Sequence, residues 1–169
     1  MFKGGVKVKT LARIEEAFIA ITLLVVTTVL FVNIVLRYGF SANRSWAEEL
    51  IRYGMIWIAF VGGAVCFRRG AHVGVDFILS FVKGRGQLLI GILVNVASII
   101  FMGFLFKYGM DLIIFTQGTG QITPSLQIPL FYIYLAIPVG AALSIIHLTI
   151  MTVQMMRTGE VPATQNVEL

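Results

Sequence analysis

The residues best placed to do chemistry in this chain are Glu48, Glu49 and Arg52, within the run Ser45-Trp46-Ala47-Glu48-Glu49-Leu50-Ile51-Arg52-Tyr53. They stand at the mouth of an apolar stretch, where an unpaired charge is costly. Ser45 and Glu48 have the Ser-x-x-Glu spacing of a capping box, so a helix is expected to start there. Two carboxylates in a first turn also suit the positive end of the helix dipole. Arg52 follows Glu48 by four residues and Glu49 by three, the order and spacing that favour an ion pair on one helical face. The expected chemistry is self-compensation at a membrane boundary. Other chemistries lack their residues: the sequence has no phosphate loop, no Cys cluster and no metal-spaced set of His or carboxylates. Its two His residues, His72 and His147, are a poor basis for bis-histidine haem. The single Cys66 reads as a small packing residue.

The elements that must carry these groups are membrane helices. Of 169 residues 58% are hydrophobic and 12% charged, far from the composition of a soluble domain. A helix needs about 20 mostly apolar residues to cross a bilayer. Four such stretches occur, at 17–36, 50–67, 86–106 and 128–151. Together they predict an all-α integral membrane protein organised as one four-span domain, with a basic leader over 1–13 and a tail over 158–169. The first span is too long for a signal peptide and continues into Asn33 and Arg37, so it reads as retained.

With four spans, both termini and the middle loop share one side. That side collects Lys3, Lys7, Lys9, Arg13, Arg68, Arg69, Lys83, Arg85 and Arg157, against Arg37, Arg44, Arg52 and Lys107 on the other. Nine against four places both termini in the cytoplasm. This bias and attraction to anionic lipid headgroups explain the net charge of +5 without nucleic acid. Arg68, Arg69, His72, Lys83 and Arg85 are therefore the candidate membrane-interface residues. In the middle loop His72, Asp76, Ser80 and Lys83 share one helical face, which predicts a short interfacial amphipathic helix between the second and third spans. The loop at 107–127 is the largest outward surface, and Lys107 and Asp111, one turn apart, suggest that the third helix projects beyond the bilayer.

On the second span Glu48, Arg52, Ala59, Gly63 and Cys66 share a face, and Trp46, Tyr53, Trp57, Phe60 and Ala64 the opposite one. Charges above a small-residue strip predict a Glu48–Arg52 pair sheltered within protein. The aromatic face is expected to meet lipid or a second polypeptide, with Trp46 as a belt residue. Gly91, Asn95, Ser98 and Met102 stripe the third span, and Ala136, Gly140, Ser144 and His147 the fourth, as helix-packing seams. Asn33 and His147 fall near span ends, where a polar group is cheap. Matched helix breaks and midplane charges, the marks of a stand-alone secondary transporter, do not appear.

In its ordered set Arg37-Tyr38, Trp46-Ala47-Glu48-Glu49-Leu50, Arg52-Tyr53, Trp57, Phe60, Gly62-Gly63, Arg69 and His72, the chain resembles the small membrane subunit, or Q subunit, of tripartite ATP-independent periplasmic (TRAP) transporters. The resemblance covers nearly the whole chain and implies a non-catalytic scaffold in the bacterial inner membrane, paired with a large multi-span M subunit. In that family M carries the solute and sodium sites and moves like an elevator. A periplasmic binding protein delivers an organic acid, a sialic acid or a C4-dicarboxylate, and the loop at 107–127 is where it would meet this chain. No cofactor is implied here, and sodium is expected on M. Two rivals remain at this point: a small four-helix multidrug exporter, with Glu15 and Glu16 as its only carboxylate candidates, and a haem- or quinone-binding anchor of an oxidoreductase using His147. The solute is not named by these residues.

Overall fold

The computed structural model describes residues 4–40, 44–69 and 85–158. They form α1 (Gly4–Phe40), α2 (Ser45–Arg68), α3 (Arg85–Thr119), a single turn α4 (Phe131–Tyr134) and α5 (Ala136–Thr158). Four helical segments are long and apolar enough to cross a membrane, the fourth being α4 and α5 together. The apolar runs decide this, because a helix satisfies every backbone polar group within the segment.

The helices pack in a row rather than a closed bundle. Among the described residues the backbone of α1 lies against α2 alone, that of α2 against α1, α5 and α4, and that of α3 against α5 and α4. The spatial order is α1–α2–α5–α3, so α5 is flanked on both sides while α1 and α3 are edges. Outward side chains on the edges, such as Leu24, Phe31, Leu89 and Leu93, are two-thirds exposed and large. That surface suits lipid.

A glycine marks each crossing. A Cβ at Gly140 of α5 would lie 2.7 Å from the carbonyl oxygen of Phe60 on α2, so only hydrogen fits there. Gly54 of α2 faces Val26 of α1, and Gly109 of α3 faces Ile137 and Pro138 of α5. Such residues let helices approach closely where lipid supplies no hydrophobic drive between them. The predicted seams on the third and fourth spans lie in these contacts. Ala136, Gly140, Ser144 and His147 are buried, and buried Asn95 donates from Nδ2 to Thr152 Oγ1 at 3.3 Å.

Boundaries of α1 and of the fourth span differ from expectation, with α1 already helical from Gly4 inside the expected leader, while α3 projects beyond its apolar run as expected. α3 continues to Thr119, about 50 Å of helix at 1.5 Å per residue, so it outruns the ~30 Å hydrocarbon core. Its extension does not depend on the expected Lys107–Asp111 pair, since Lys107 lies over the Tyr108 ring at 5.9 Å. The fourth span starts later and breaks at Leu135, three residues before Pro138, whose missing N–H removes one helical bond. It then runs on to Thr158. The predicted interfacial helix, with His72, Asp76, Ser80 and Lys83, lies outside the described residues.

Candidate functional site: a buried ion cluster, a clamped loop and an open groove

The end of the molecule holding the start of α1 and the end of α2 is here the terminal end. The other, with residues 120–130, is the loop end.

At the terminal end three helices meet through charge. Glu15 of α1 and His147 of α5 are almost fully buried, and His147 Nε2 lies 2.8 Å from Glu15 Oε1, the ring donating and the carboxylate accepting. Arg68, near the end of α2, brings Nε to 3.8 Å from Glu15 Oε2. Its Nη2 donates to Glu16 Oε1 at 2.6 Å, and Arg69 Nη2 donates to the same oxygen at 3.2 Å. A buried carboxylate is tolerable only with such partners. The cluster acts as a tie, because its side chains join α1 to α5 where the two backbones do not meet. His147 is therefore not a polar group made cheap by a span end. It is interior, and its Nε2 is already engaged by Glu15.

At the loop end Glu49 is the buried carboxylate of α2. Its two oxygens accept from the backbone N–H groups of Ser125 and Leu126, each at 3.0 Å. Thr123, wholly buried, closes the same loop: its N–H donates to Ile128 O at 2.9 Å and its Oγ1 accepts from Ile128 N–H at 3.1 Å. Ile122 and Pro129 pair across the loop, with Gly120 and Gln127 at positive φ where the chain turns. Glu49 thus serves as a bidentate anion clamping the loop to the start of α2, with two charge-assisted bonds.

The expected Ser45 capping box does not form. Arg44 is the N-cap residue and makes no side-chain capping bond, while Ser45 is already helical and Ala47 N–H donates to Arg44 O. The expected Glu48–Arg52 pair is also replaced. Glu48 faces Arg37 of α1 at 3.8 Å, both about half exposed. Arg52 is exposed as well, so these charges are not sheltered within this chain. Spacing along one helix named the wrong partner because α1 ends beside them.

The aromatic face of α2 divides. Trp57 meets Phe18 of α1 edge-on, with ring centroids 5.7 Å apart, and the backbone of Phe60 carries the Gly140 crossing. Tyr53 is half-buried and Trp46 is 42% exposed. Much of this face is internal to the chain, and the opposite one, with Ala59 and Cys66, is exposed. Among the membrane-interface candidates, Arg68 and Arg69 join the ion cluster, Arg85 begins α3, and His72 and Lys83 lie outside the described residues.

Glu15, Glu16, Asn33 and the Glu49 clamp carry more of the geometry than the sequence reading assigned to them. A signal for the first two existed. In an antiparallel pair the start of α1 and the end of α2 are level, so Glu15-Glu16 and Arg68-Arg69 are opposite charges at one height.

Comparison with known proteins agrees with this architecture. Residues 26–158 match the family model described as tripartite ATP-independent periplasmic transporters, DctQ component. The C4-dicarboxylate TRAP transporter small permease protein DctQ of Rhodobacter capsulatus is 27% identical over 91% of this chain and 81% of its own length. The isethionate TRAP transporter permease protein DctMQ of Oleidesulfovibrio alaskensis is 28% identical over 70% of this chain but 18% of its own length. The sialic acid TRAP transporter small permease protein SiaQ of Vibrio cholerae is 26% identical over 57% of this chain and 59% of its own. A row of membrane helices whose buried charges join one helix to another, matched over 133 of 169 residues (26 to 158 inclusive), belongs to the DctQ family, the small permease component of TRAP transporters and not an enzyme.

Proposed function

We infer that this chain is the scaffold subunit of a sodium-coupled organic-acid uptake system, sitting in the bacterial inner membrane with both termini cytoplasmic. It would stand beside a large M permease subunit that carries solute and sodium, with a periplasmic binding protein delivering the acid. The observation that carries this reading is how the buried charges are used. Glu15 and His147 join helices and Glu49 clamps a loop. A transport pathway needs polar groups facing a water-filled cavity, whereas these face one another. The DctMQ relative supports the partnership, since its name joins M and Q and most of its length lies outside the match. The names of relatives span C4-dicarboxylate, isethionate and sialic acid at nearly the same identity. That spread supports organic anions as the class, with sialic acid or a C4-dicarboxylate as the first to try. The clamped loop around Ser125 is the surface we assign to the binding protein.

Proteoliposomes test the reading. This chain alone should take up nothing. Uptake should appear when it is combined with its large subunit, the binding protein and an inward sodium gradient, and should collapse when the gradient is removed. Uptake by the isolated chain would sink the scaffold role.

A further inference from the structure

Arg52 stands one turn further into the apolar run of α2 than Glu48, and no hydrogen bond or ion pair joins its guanidinium to another described residue. A lone cation at a membrane boundary is costly unless an anion meets it. Its depth is marked by Tyr38 near the end of α1 and Trp46 at the start of α2, both exposed and both of the type that settles at the headgroup level. Beside them α1 and α2 leave an open cavity of about 480 Å³. Arg37, Glu48 and Arg52 line its charged part, and Leu30, Ile34 and Ile51 its apolar wall.

Arg37 and Glu48 face each other at 3.8 Å, too far for a hydrogen bond, so each keeps its capacity to bond elsewhere. Two guanidiniums against one carboxylate leave the cavity one positive charge in excess. A soluble anion would meet that charge but not the apolar wall. Leu30 and Ile34 are exposed, so the wall opens toward the hydrocarbon. A zwitterionic phospholipid would cover the wall and leave the charge unmatched. An anionic phospholipid answers both. Its phosphodiester can accept from the planar fork of each arginine, the hydroxyls of a glycerol headgroup can donate to Glu48, and an acyl chain can lie along Leu30 and Ile34. Basic pockets between membrane helices suit anionic headgroups for the same reason.

We propose that the α1–α2 cavity at the loop end is a binding site for an anionic phospholipid of the phosphatidylglycerol type, with its phosphate on Arg52 and Arg37 and its headgroup hydroxyls on Glu48. This site requires only that the spans cross a membrane, so it stands or falls separately from the scaffold reading above.

Native mass spectrometry of the full chain, released from micelles holding equal amounts of phosphatidylglycerol and phosphatidylethanolamine, tests this. One phosphatidylglycerol should stay bound, at least ~5-fold above phosphatidylethanolamine, and Arg52→Gln should lower its retention by a similar factor, the loss of about one charge-assisted bond. Arg44→Gln removes the same charge from the loop end at an exposed residue outside the cavity, and should leave retention unchanged. Arg52→Lys keeps the charge but not the fork, so it should fold as the unaltered chain does and still lose part of the retention. Equal retention of the two lipids, or equal losses with Arg44→Gln and Arg52→Gln, would overturn the proposal. So would displacement of the lipid by glycerophosphoglycerol, the same headgroup without acyl chains, because the cavity would then be a soluble-anion site. The lipid should also persist when the chain is purified with its large subunit. Its exclusion there would make the cavity a contact of that subunit and would end the lipid assignment.

Discussion

A buried carboxylate is the most demanding single residue in a membrane helix, and the described residues include two, Glu15 and Glu49, handled differently. Glu15 is met by the Arg68 guanidinium of α2 and by the His147 ring of α5. Removing one member of a buried pair leaves the rest uncompensated at about 3 to 5 kcal/mol. Glu15→Ala should therefore lower thermal stability in detergent sharply, whereas Glu16→Ala, at an exposed carboxylate, should change it far less. Replacing both Glu15 and His147 by Leu should recover part of the loss, since coupled residues do not add. Strict additivity would mean the two do not act as a pair. Glu49 is balanced instead by two backbone N–H groups. Glu49→Gln keeps the shape but sets an amide NH₂ against one of those donors, so hydrogen exchange at Ser125 and Leu126 should accelerate by roughly 10-fold, the loss of about one charge-assisted bond. Glu48→Gln, at a half-exposed side chain, should leave both exchange and stability nearly unchanged. Equal effects at 48 and 49 would contradict the clamp. Sequence spacing could not separate these neighbours. A helical face ranks residues within one helix, and the partners of both lie on other segments.

Helices, by contrast, were largely legible. Long apolar runs located four spans, because a helix satisfies its backbone polar groups within one segment across hydrocarbon. The stripes through Asn95 and through Gly140 and Ser144 also fall in observed seams. What failed were the ends and the pairings. The projection of α3 past the bilayer was legible in Lys107 and Asp111, charges that a helix in water accepts, although its end at Thr119 was not. The capping box failed because Ser45 entered the helix. The α2 aromatics were assigned outward, but Trp57 turns to Phe18 once α1 packs alongside. Packing at the crossings gives an element-scale prediction. Gly140→Leu must push α5 off Phe60 and should cost about 1 to 3 kcal/mol. Gly103→Leu, where an added Cβ meets nothing within 4 Å, should be close to neutral by thermal denaturation. The reverse order would show that the α2–α5 crossing is not where contact is tightest.

The row of helices has two chemically unlike ends, and that difference should fix its orientation. Glu15, Glu16, Arg68, Arg69 and His147 gather at the terminal end, and the sequence adds further Lys and Arg ahead of the first span and between the second and third. The loop end carries the clamped segment 121–130 and fewer Lys and Arg. Positive charge is retained on the cytoplasmic side during insertion, counted over short loops near the spans. Part of that charge is neutralised by Glu15 and Glu16 in the folded protein. Insertion, however, reads the chain before helices pack, when Arg68 and Arg69 still lack their partners. The terminal end should therefore face the cytoplasm even though its folded cluster is nearly balanced. Single cysteines at 3 and 83, in a background with Cys66→Ser, should resist a membrane-impermeant thiol reagent in intact cells. One at Thr119, where α3 ends beside the loop, should react. Charge reversal separates the causes. Arg68→Glu with Arg69→Glu should raise labelling at 83 if the unpacked charges set orientation, and leave it unchanged if packing of the finished row does. Labelling at 3 and 83 with protection at 119 in the otherwise unaltered protein would invert the orientation, and would move the clamped loop away from any periplasmic partner.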